Sequence, residues 1–167
     1  MGTTNLDALT LSGALSAGAA SLSSASLTTP LTKANANESL KRVFFHIEFP
    51  NTLADGTTYK RVVPMGRAGT IKRISLAANV VMVGGTNTLA LAKKKGGTSV
   101  NLLSTATVDP TAKPAAADTA EDLTLTSTAA DLVYAAGDCL IATLVCGTMT
   151  TDGQNYSLLV EVELTDA

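Results

Sequence analysis

Charge is scarce in this 167-residue chain: Asp, Glu, Lys and Arg make up 16% of it, where soluble domains ordinarily carry roughly a quarter. The formal net charge of −2 gives no positive field that would attract nucleic acid or anionic lipid. No apolar run approaches the roughly 20 residues that cross a bilayer. The first segment also lacks the basic start and unbroken apolar stretch of a secretion signal. We therefore expect a protein made in a cytoplasm, with neither nucleic acid nor a membrane as its partner.

Residues that carry enzyme chemistry are also few. The single histidine, His46, has no second histidine or nearby cysteine to complete a metal or catalytic site. No nucleophile elbow, phosphate-binding loop, dinucleotide fingerprint or zinc-protease helix motif occurs. Aromatic residues make up 4% of the chain with no Trp, which leaves little material for the aromatic platforms of a sugar site. We expect no enzyme activity and no cofactor.

The two cysteines, Cys139 and Cys146, stand seven positions apart in "CLIATLVC". On one strand this spacing amounts to about 23 Å at roughly 3.3 Å per residue, and an odd separation puts the two side chains on opposite faces. A disulfide tolerates Cα atoms only up to about 7 Å apart. The spacing therefore predicts free thiols rather than a disulfide, with a redox pair or metal ligands as the alternative.

Two charged clusters leave alternatives open. Asp118, Glu121 and Asp122 in "ADTAED" could bind calcium through carboxylate oxygens, but their spacing matches no known calcium loop, and solvated turn carboxylates are the alternative. The run Lys93–Lys95 is expected at a solvated hairpin tip, or against an acidic surface of a partner.

The body of the chain, residues 39–167, has the period-two pattern of β-strands. In "KRVFFHIEF" one set of alternating positions is apolar and the other is Phe44, His46 and Glu48; the apolar set is Val43, Phe45, Ile47 and Phe49. In "NYSLLVEVELT" Leu158 and Val160 share a face opposite Glu161. Other stretches with strand character are "KRVVP" and "GTIKRISLAANVVMV", which together give two or three strands, a hairpin of "TNTLALA" and "TSVNLL" around "KKKGG", "DLTLT" and "DCLIATLVC". About eight strands separated by turn residues, with no long helical period, predict an all-β fold: an antiparallel, jelly-roll-like β-sandwich.

Residues 1–38 differ in composition from this body. They contain leucines spread through Ser, Ala, Gly and Thr, and too few large side chains to form a core. We expect an extended N-terminal arm or stem that becomes ordered by assembly, with a disordered leader as the alternative. The leucines expected to contact a capsid or the other chains of a trimer are Leu9, Leu11, Leu15, Leu22 and Leu27.

Three stretches carry a resemblance to a known class of proteins. The leader "LTLSGALSAGAASLSSASLTT" resembles the Gly/Ser/Leu segments that begin phage fibre and head-fibre proteins. The stretches "RVVPMGRAGTIKRISLAANVVMVGGTNTLALAKKKGGTSV" and "LVYAAGDCLIATL" resemble a β-sandwich module of tailed-phage virion proteins, in which an "AGD" turn, here with Gly137 and Asp138, opens a late strand. The chain is thus similar to tailed-phage capsid decoration (cement) and head-fibre proteins.

This resemblance implies a virion structural protein, assembled in the host cytoplasm, that decorates and stabilises the outer surface of a phage capsid. Its implied partners are the major capsid protein and further copies of itself in a homotrimer. The alternative is the receptor-binding head of a phage fibre, which would grip host glycans.

Overall fold

The computed structural model describes residues 41–165, and all its strands belong to two antiparallel sheets. The elements are β1 (Arg42–Glu48), β2 (Thr58–Pro64), β3 (Gly69–Ala78), β4 (Thr88–Lys95), β5 (Thr98–Asn101), β6 (Thr119–Asp122), α1 (Ala129–Leu132), β7 (Val133–Tyr134), β8 (Cys139–Val145) and β9 (Ser157–Leu164). The five-stranded sheet has the order β1-β9-β3-β6, with the short β7 also paired to β3. The four-stranded sheet has the order β2-β8-β4-β5. Within residues 41–165 no helix is long and apolar enough to cross a membrane.

Alternating side chains explain why these segments form strands that are buried on one face. In β8, Leu140, Ala142 and Leu144 are buried, whereas the positions between them face outward and stay partly exposed. In β1 the inward row ends at the buried Ile47, and the outward Phe44 is half exposed. The alternation predicted from the sequence for these strands is confirmed.

The inward faces of the two sheets form one hydrophobic core. Both sheets contribute, since fully buried leucines of β4 and β8 join residues of β3 and β9 in a single cluster. Those with no exposed surface include Ile74, Leu76, Leu89, Leu91, Leu144, Leu158, Val160 and Val162. Two antiparallel sheets around one core make the fold an all-β sandwich, as the sequence predicted.

"KRVVP" and "GTIKRISLAANVVMV" form two strands, β2 and β3, within the two or three that the sequence predicts. β3 ends at Ala78, and Val80 and Val83 after it make only isolated bridges. The strand boundaries differ from the prediction in one place. In "DLTLT" the strand pairing with β3 ends at Asp122, because the chain then turns to pair with residues 102–104: Thr126 N donates to Leu102 O at 2.9 Å. With the two-residue β7, the described range has nine strands where the sequence suggested about eight.

The predicted β4–β5 hairpin is confirmed. Gly96 and Gly97 form its two-residue turn, both with positive φ (54° and 97°), which is the backbone that tight hairpins require. The three lysines precede this turn as the last residues of β4.

Candidate functional site

One end of the sandwich holds a cleft of about 570 Å³, which we call the end cleft. Strands β4 and β5 of the four-stranded sheet line it on one side, and β7 of the five-stranded sheet lines it on the other. The cleft therefore lies between the two sheets, where the apolar core ends. It is lined by Ala68, Lys93, Lys95, Thr98, Val100, Val133, Tyr134, Ala135, Asp138 and Thr165. A size of this order is typical of small-ligand sites.

Strand periodicity places two lysines in this cleft. Lys93 and Lys95 continue the inward row of β4 that begins with the fully buried Leu89 and Leu91. The register sets Val100 of β5 opposite Lys93, on the same face. The lysine run is therefore not a uniformly solvated tip: it divides between the two faces of β4.

Lys93 is held by the protein, whereas Lys95 is not. The Lys93 ammonium donates hydrogen bonds to the backbone carbonyls of Ala130 and Val133, near the end of α1. Lys95 is exposed and makes no hydrogen bond or ion pair with any part of the chain that the structure describes. The cleft thus has one fixed and one free ammonium group.

Asp138 is fixed by the turn that precedes β8. Gly137 has φ +88°, as position three of a type II turn requires, and Asp138 N donates to Ala135 O at 3.2 Å to close that turn. Ala135 N in return donates to Asp138 Oδ2 at 2.9 Å, and Met65 N donates to the Asp138 carbonyl at 2.8 Å. Asp138 Oδ1 is buried and has no hydrogen-bond partner within residues 41–165.

Tyr134 supplies a second buried polar atom without a partner. Its side chain is 3% exposed, and its hydroxyl makes no hydrogen bond with the described residues. A Cβ built on Gly69 would lie 2.5 Å from that hydroxyl, so the close packing of the ring depends on the glycine. Burial raises the pKa of Tyr134, which keeps the phenol neutral and able to donate at neutral pH. Native proteins rarely leave such atoms unpaired, and residues 41–165 supply no partner for either the Tyr134 hydroxyl or Asp138 Oδ1.

The outer face of the five-stranded sheet is charged and internally paired. Glu161, 7% exposed, accepts from Arg42 Nη1 at 2.6 Å and faces Arg73 Nε at 3.2 Å. A register shift between Ile71 and Arg73 turns both Lys72 and Arg73 outward, so that Lys72 reaches Glu163 at 2.9 Å. The hydrogen bond from Lys72 lowers the pKa of Glu163.

The outer face of the four-stranded sheet differs in that one row of residues across it carries no charge, and we call this row the uncharged face. Register aligns Val62 of β2, Ile141 of β8 and Ala92 of β4 in one row across it. Val62 is 52% exposed, and the outward positions of these four strands include no acidic residue. Lys60 and Lys94 lie on the same side of the sheet, outside this row. An antiparallel sheet that faces water normally carries polar residues outward, and this row departs from that pattern.

The residues singled out from the sequence fall into several environments. Glu121 pairs with Lys113 and also accepts from Ala115 N at 3.0 Å, and its pKa is lowered chiefly by the hydrogen bond from Lys113. Asp122 accepts from Ser75 Oγ at 2.5 Å. No group of three or more His, Cys, Asp or Glu residues within 41–165 is arranged to hold a metal ion.

The remaining residues are placed as follows. Both cysteines are free thiols, as predicted: Cys139 is half-buried and Cys146 buried, and burial raises the pKa of the Cys146 thiol. His46 is exposed, with Nδ1 3.3 Å from Glu48 Oε1. The five leucines expected to make capsid or trimer contacts, Leu9, Leu11, Leu15, Leu22 and Leu27, lie outside the described residues.

Sequence reasoning did not find the end cleft. The sequence assigns Asp138 only to a turn, and its pattern does not single out Tyr134. The available signal was the period-two spacing of Leu89, Leu91, Lys93 and Lys95 along β4. In a strand this spacing puts all four side chains on one face, so both lysines belong to the inward row.

No known family model matches the chain, and no curated protein or solved structure matches it either.

Proposed function

We propose that this chain is a virion structural protein that decorates and stabilises the outer surface of a phage capsid. The first support is the order of its strands. If β7 is set aside as a two-residue addition, consecutive strands alternate between the sheets except at the β4–β5 hairpin. We assign this arrangement to the jelly-roll class, which recurs in viral capsid proteins and in lectins. The step from jelly roll to virion is an analogy at the level of the fold.

The observation that carries the proposal is the uncharged face. Val62 and the row that it begins have no function in the core, since they lie on the opposite side of the sheet from it. Covering such a row removes apolar area from water at about 25 cal/mol per Å². We assign this face to contacts between copies in a homotrimer, whose closed symmetry limits the assembly to a fixed size.

The N-terminal arm, residues 1–38, is proposed as the second contact, with its leucines against the major capsid protein or the other chains of the trimer. Attachment through apolar contacts and backbone hydrogen bonds depends weakly on salt. A steered electrostatic contact instead weakens as the Debye length falls from about 10 Å at 0.1 M to about 3 Å at 1 M. The protein then acts on the shell by linkage, because binding only to the assembled shell lowers the free energy of that state.

Two substitutions test the uncharged face. Val62→Asp adds a charge to it, and Phe44→Asp adds the same charge to the outer face of the five-stranded sheet at a residue of equal exposure, 52%. We expect sedimentation to give a trimer for the parent protein and for Phe44→Asp, but a monomer for Val62→Asp, with unchanged far-UV circular dichroism in all three. A monomeric parent protein, or loss of the trimer only in Phe44→Asp, would contradict the assignment.

Binding to the shell is tested separately. Purified protein is mixed with undecorated capsids of the parent phage at about 0.05 M and about 0.5 M salt, and bound copies are counted. We expect saturation at a fixed copy number at both salt concentrations, and failure of the decorated shell only at higher temperature. Deleting residues 1–38 should leave a folded β-domain that no longer attaches. Capsids that bind nothing, beside host cells that bind the protein and release it to soluble sugar, would favour the fibre-head alternative.

A further inference from the structure

We propose that the end cleft binds an acidic saccharide, a sugar ring that carries a carboxylate, such as a uronic acid. The proposal does not depend on the capsid role, because it uses neither the uncharged face nor the N-terminal arm. It rests on the two buried polar atoms that lack partners, on the charge beside them and on the apolar side chains between.

The buried carboxylate defines what the ligand must offer. Asp138 Oδ2 is already occupied by Ala135 N at 2.9 Å, whereas Oδ1 has no donor within residues 41–165. A carboxylate oxygen only accepts, so the ligand has to bring an O–H or N–H group to it. The Tyr134 hydroxyl, also unpaired, can donate or accept. The hydroxyls of a sugar ring can both donate and accept, so one ligand supplies both roles.

The two lysines of the cleft favour a ligand that carries a negative charge and donates to Asp138 through a neutral group. Lys93 and Lys95 line the same cleft as Asp138, so a cationic donor such as an amine would meet two positive charges for one negative one. A neutral hydroxyl donor avoids this repulsion. The free Lys95 ammonium then pairs with an acidic group on the same ligand, which forms a charge-assisted hydrogen bond.

Apolar side chains complete the cleft. Val100 is half-buried and Val133 is 48% exposed, and together they offer a surface for the C–H face of a pyranose ring. Tyr134 and Asp138 also line the cleft, each 3% exposed, and their unpaired atoms are covered in the structure. Binding through these two atoms therefore requires the side chains that cover them to move.

The experiment compares charged and neutral sugars of the same size. Titration calorimetry and saturation-transfer NMR are carried out on the full chain with oligomers of galacturonate and glucuronate, and with the matched oligomers of galactose and glucose. We expect binding of at least one uronate series and at least about tenfold weaker binding of its neutral counterpart, the ratio that corresponds to one lost charge-assisted hydrogen bond. Equal affinity for neutral and acidic sugars, or no binding of any uronate, would overturn the proposal.

Neighbouring residues provide the controls. Lys95→Gln removes the free ammonium inside the cleft, and Lys94→Gln makes the same change on the outer face of β4. We expect about tenfold weaker uronate binding for the first and no change for the second. Tyr134→Phe removes one hydroxyl and should weaken binding about fivefold, while the protein unfolds at the same denaturant concentration or a higher one.

A short acidic peptide is titrated in parallel to test the other class of ligand. Tighter binding of this peptide than of every uronate, lost in Lys95→Gln, would assign the cleft to a protein partner and refute the saccharide. Failure of any of these tests leaves the capsid proposal standing, since Val62→Asp and capsid binding are measured without sugar.

Discussion

Two buried tyrosines should respond in opposite ways to removal of the hydroxyl. Tyr156 is 1% exposed, and its hydroxyl accepts from Met82 N at 2.9 Å and donates to Pro110 O at 2.8 Å. Tyr134 is 3% exposed, and its hydroxyl has no partner within residues 41–165. Burial of the ring is thus almost the same at the two positions, and only the hydrogen bonding differs.

The expected magnitudes follow from the groups left behind. Tyr156→Phe strands a buried N–H and a buried C=O, each at about 1–3 kcal/mol, so we expect a loss of about 2–6 kcal/mol in the free energy of unfolding. Tyr134→Phe strands nothing in the protein and removes a hydroxyl that is desolvated without compensation. Its free energy of unfolding should stay within about 0.5 kcal/mol of the parent value or rise.

Urea unfolding followed by far-UV circular dichroism measures both values, with equal m-values as the check that the unfolded state is unchanged. Alkaline pH gives an independent readout. Burial raises the pKa of Tyr156 from 10.0 to about 12, so between those values the unfolded chain loses a proton that the folded chain keeps. Stability should therefore fall by about 1.4 kcal/mol per pH unit in this window, and less steeply in Tyr156→Phe. Equal losses for the two Phe variants would refute the reasoning, because they would mean that the Tyr134 hydroxyl has a partner.

Three further substitution or labelling results follow from the packing. Cys139 should be alkylated in the folded protein and Cys146 only on unfolding, because the Cys146 thiol is 1% exposed and burial raises its pKa. Mass spectrometry of the labelled peptides measures this, and labelling of Cys146 in the folded protein would contradict it. Glu161→Gln should lower the free energy of unfolding by about 1–3 kcal/mol, because a neutral amide replaces the carboxylate that pairs with two arginines. The difference in stability between variant and parent should shrink at high salt. A difference that does not depend on salt would indicate an effect of packing instead. Gly69→Ala should lower the free energy of unfolding by about 1–3 kcal/mol or more, because the new Cβ would lie 2.7 Å from the backbone carbonyl oxygen of Glu163 and against the Tyr134 side chain. A variant as stable as its parent would show that the strand can shift to make room.

The sequence was most informative where one face of a strand is buried. The alternation around Ile47 and Leu158 predicts that these segments are strands, which face of each strand is inward and which residues are buried. These three follow together because a shift of one residue would turn every apolar side chain of the strand away from the core. The same rule says nothing about Glu161, which lies on the outer face yet is 7% exposed. Its burial comes from two arginines on neighbouring strands, and strand order is a tertiary property.

The end cleft could be predicted less well for a related reason. A lysine at an inward position is normally evidence against a buried strand. Lys93 and Lys95 are compatible with the inward row because they follow its last buried leucine and line the cleft. The missing partners of Tyr134 and Asp138 are likewise visible only after every donor and acceptor around them has been placed.

The position of β9 also has a consequence for how the chain folds. This strand comes last among those described, yet it lies between β1 and β3, and Arg42 bonds to Glu161 across 119 positions of sequence. During synthesis, β1 and β3 therefore have unpaired edges until β9 leaves the ribosome, and an unpaired edge can bind another nascent chain. Pairings of such long range also make folding slow. The five-stranded sheet is thus completed only after translation of residue 164. The yield of folded protein should depend on how well the unpaired edges of β1 and β3 are kept from pairing with other chains until then.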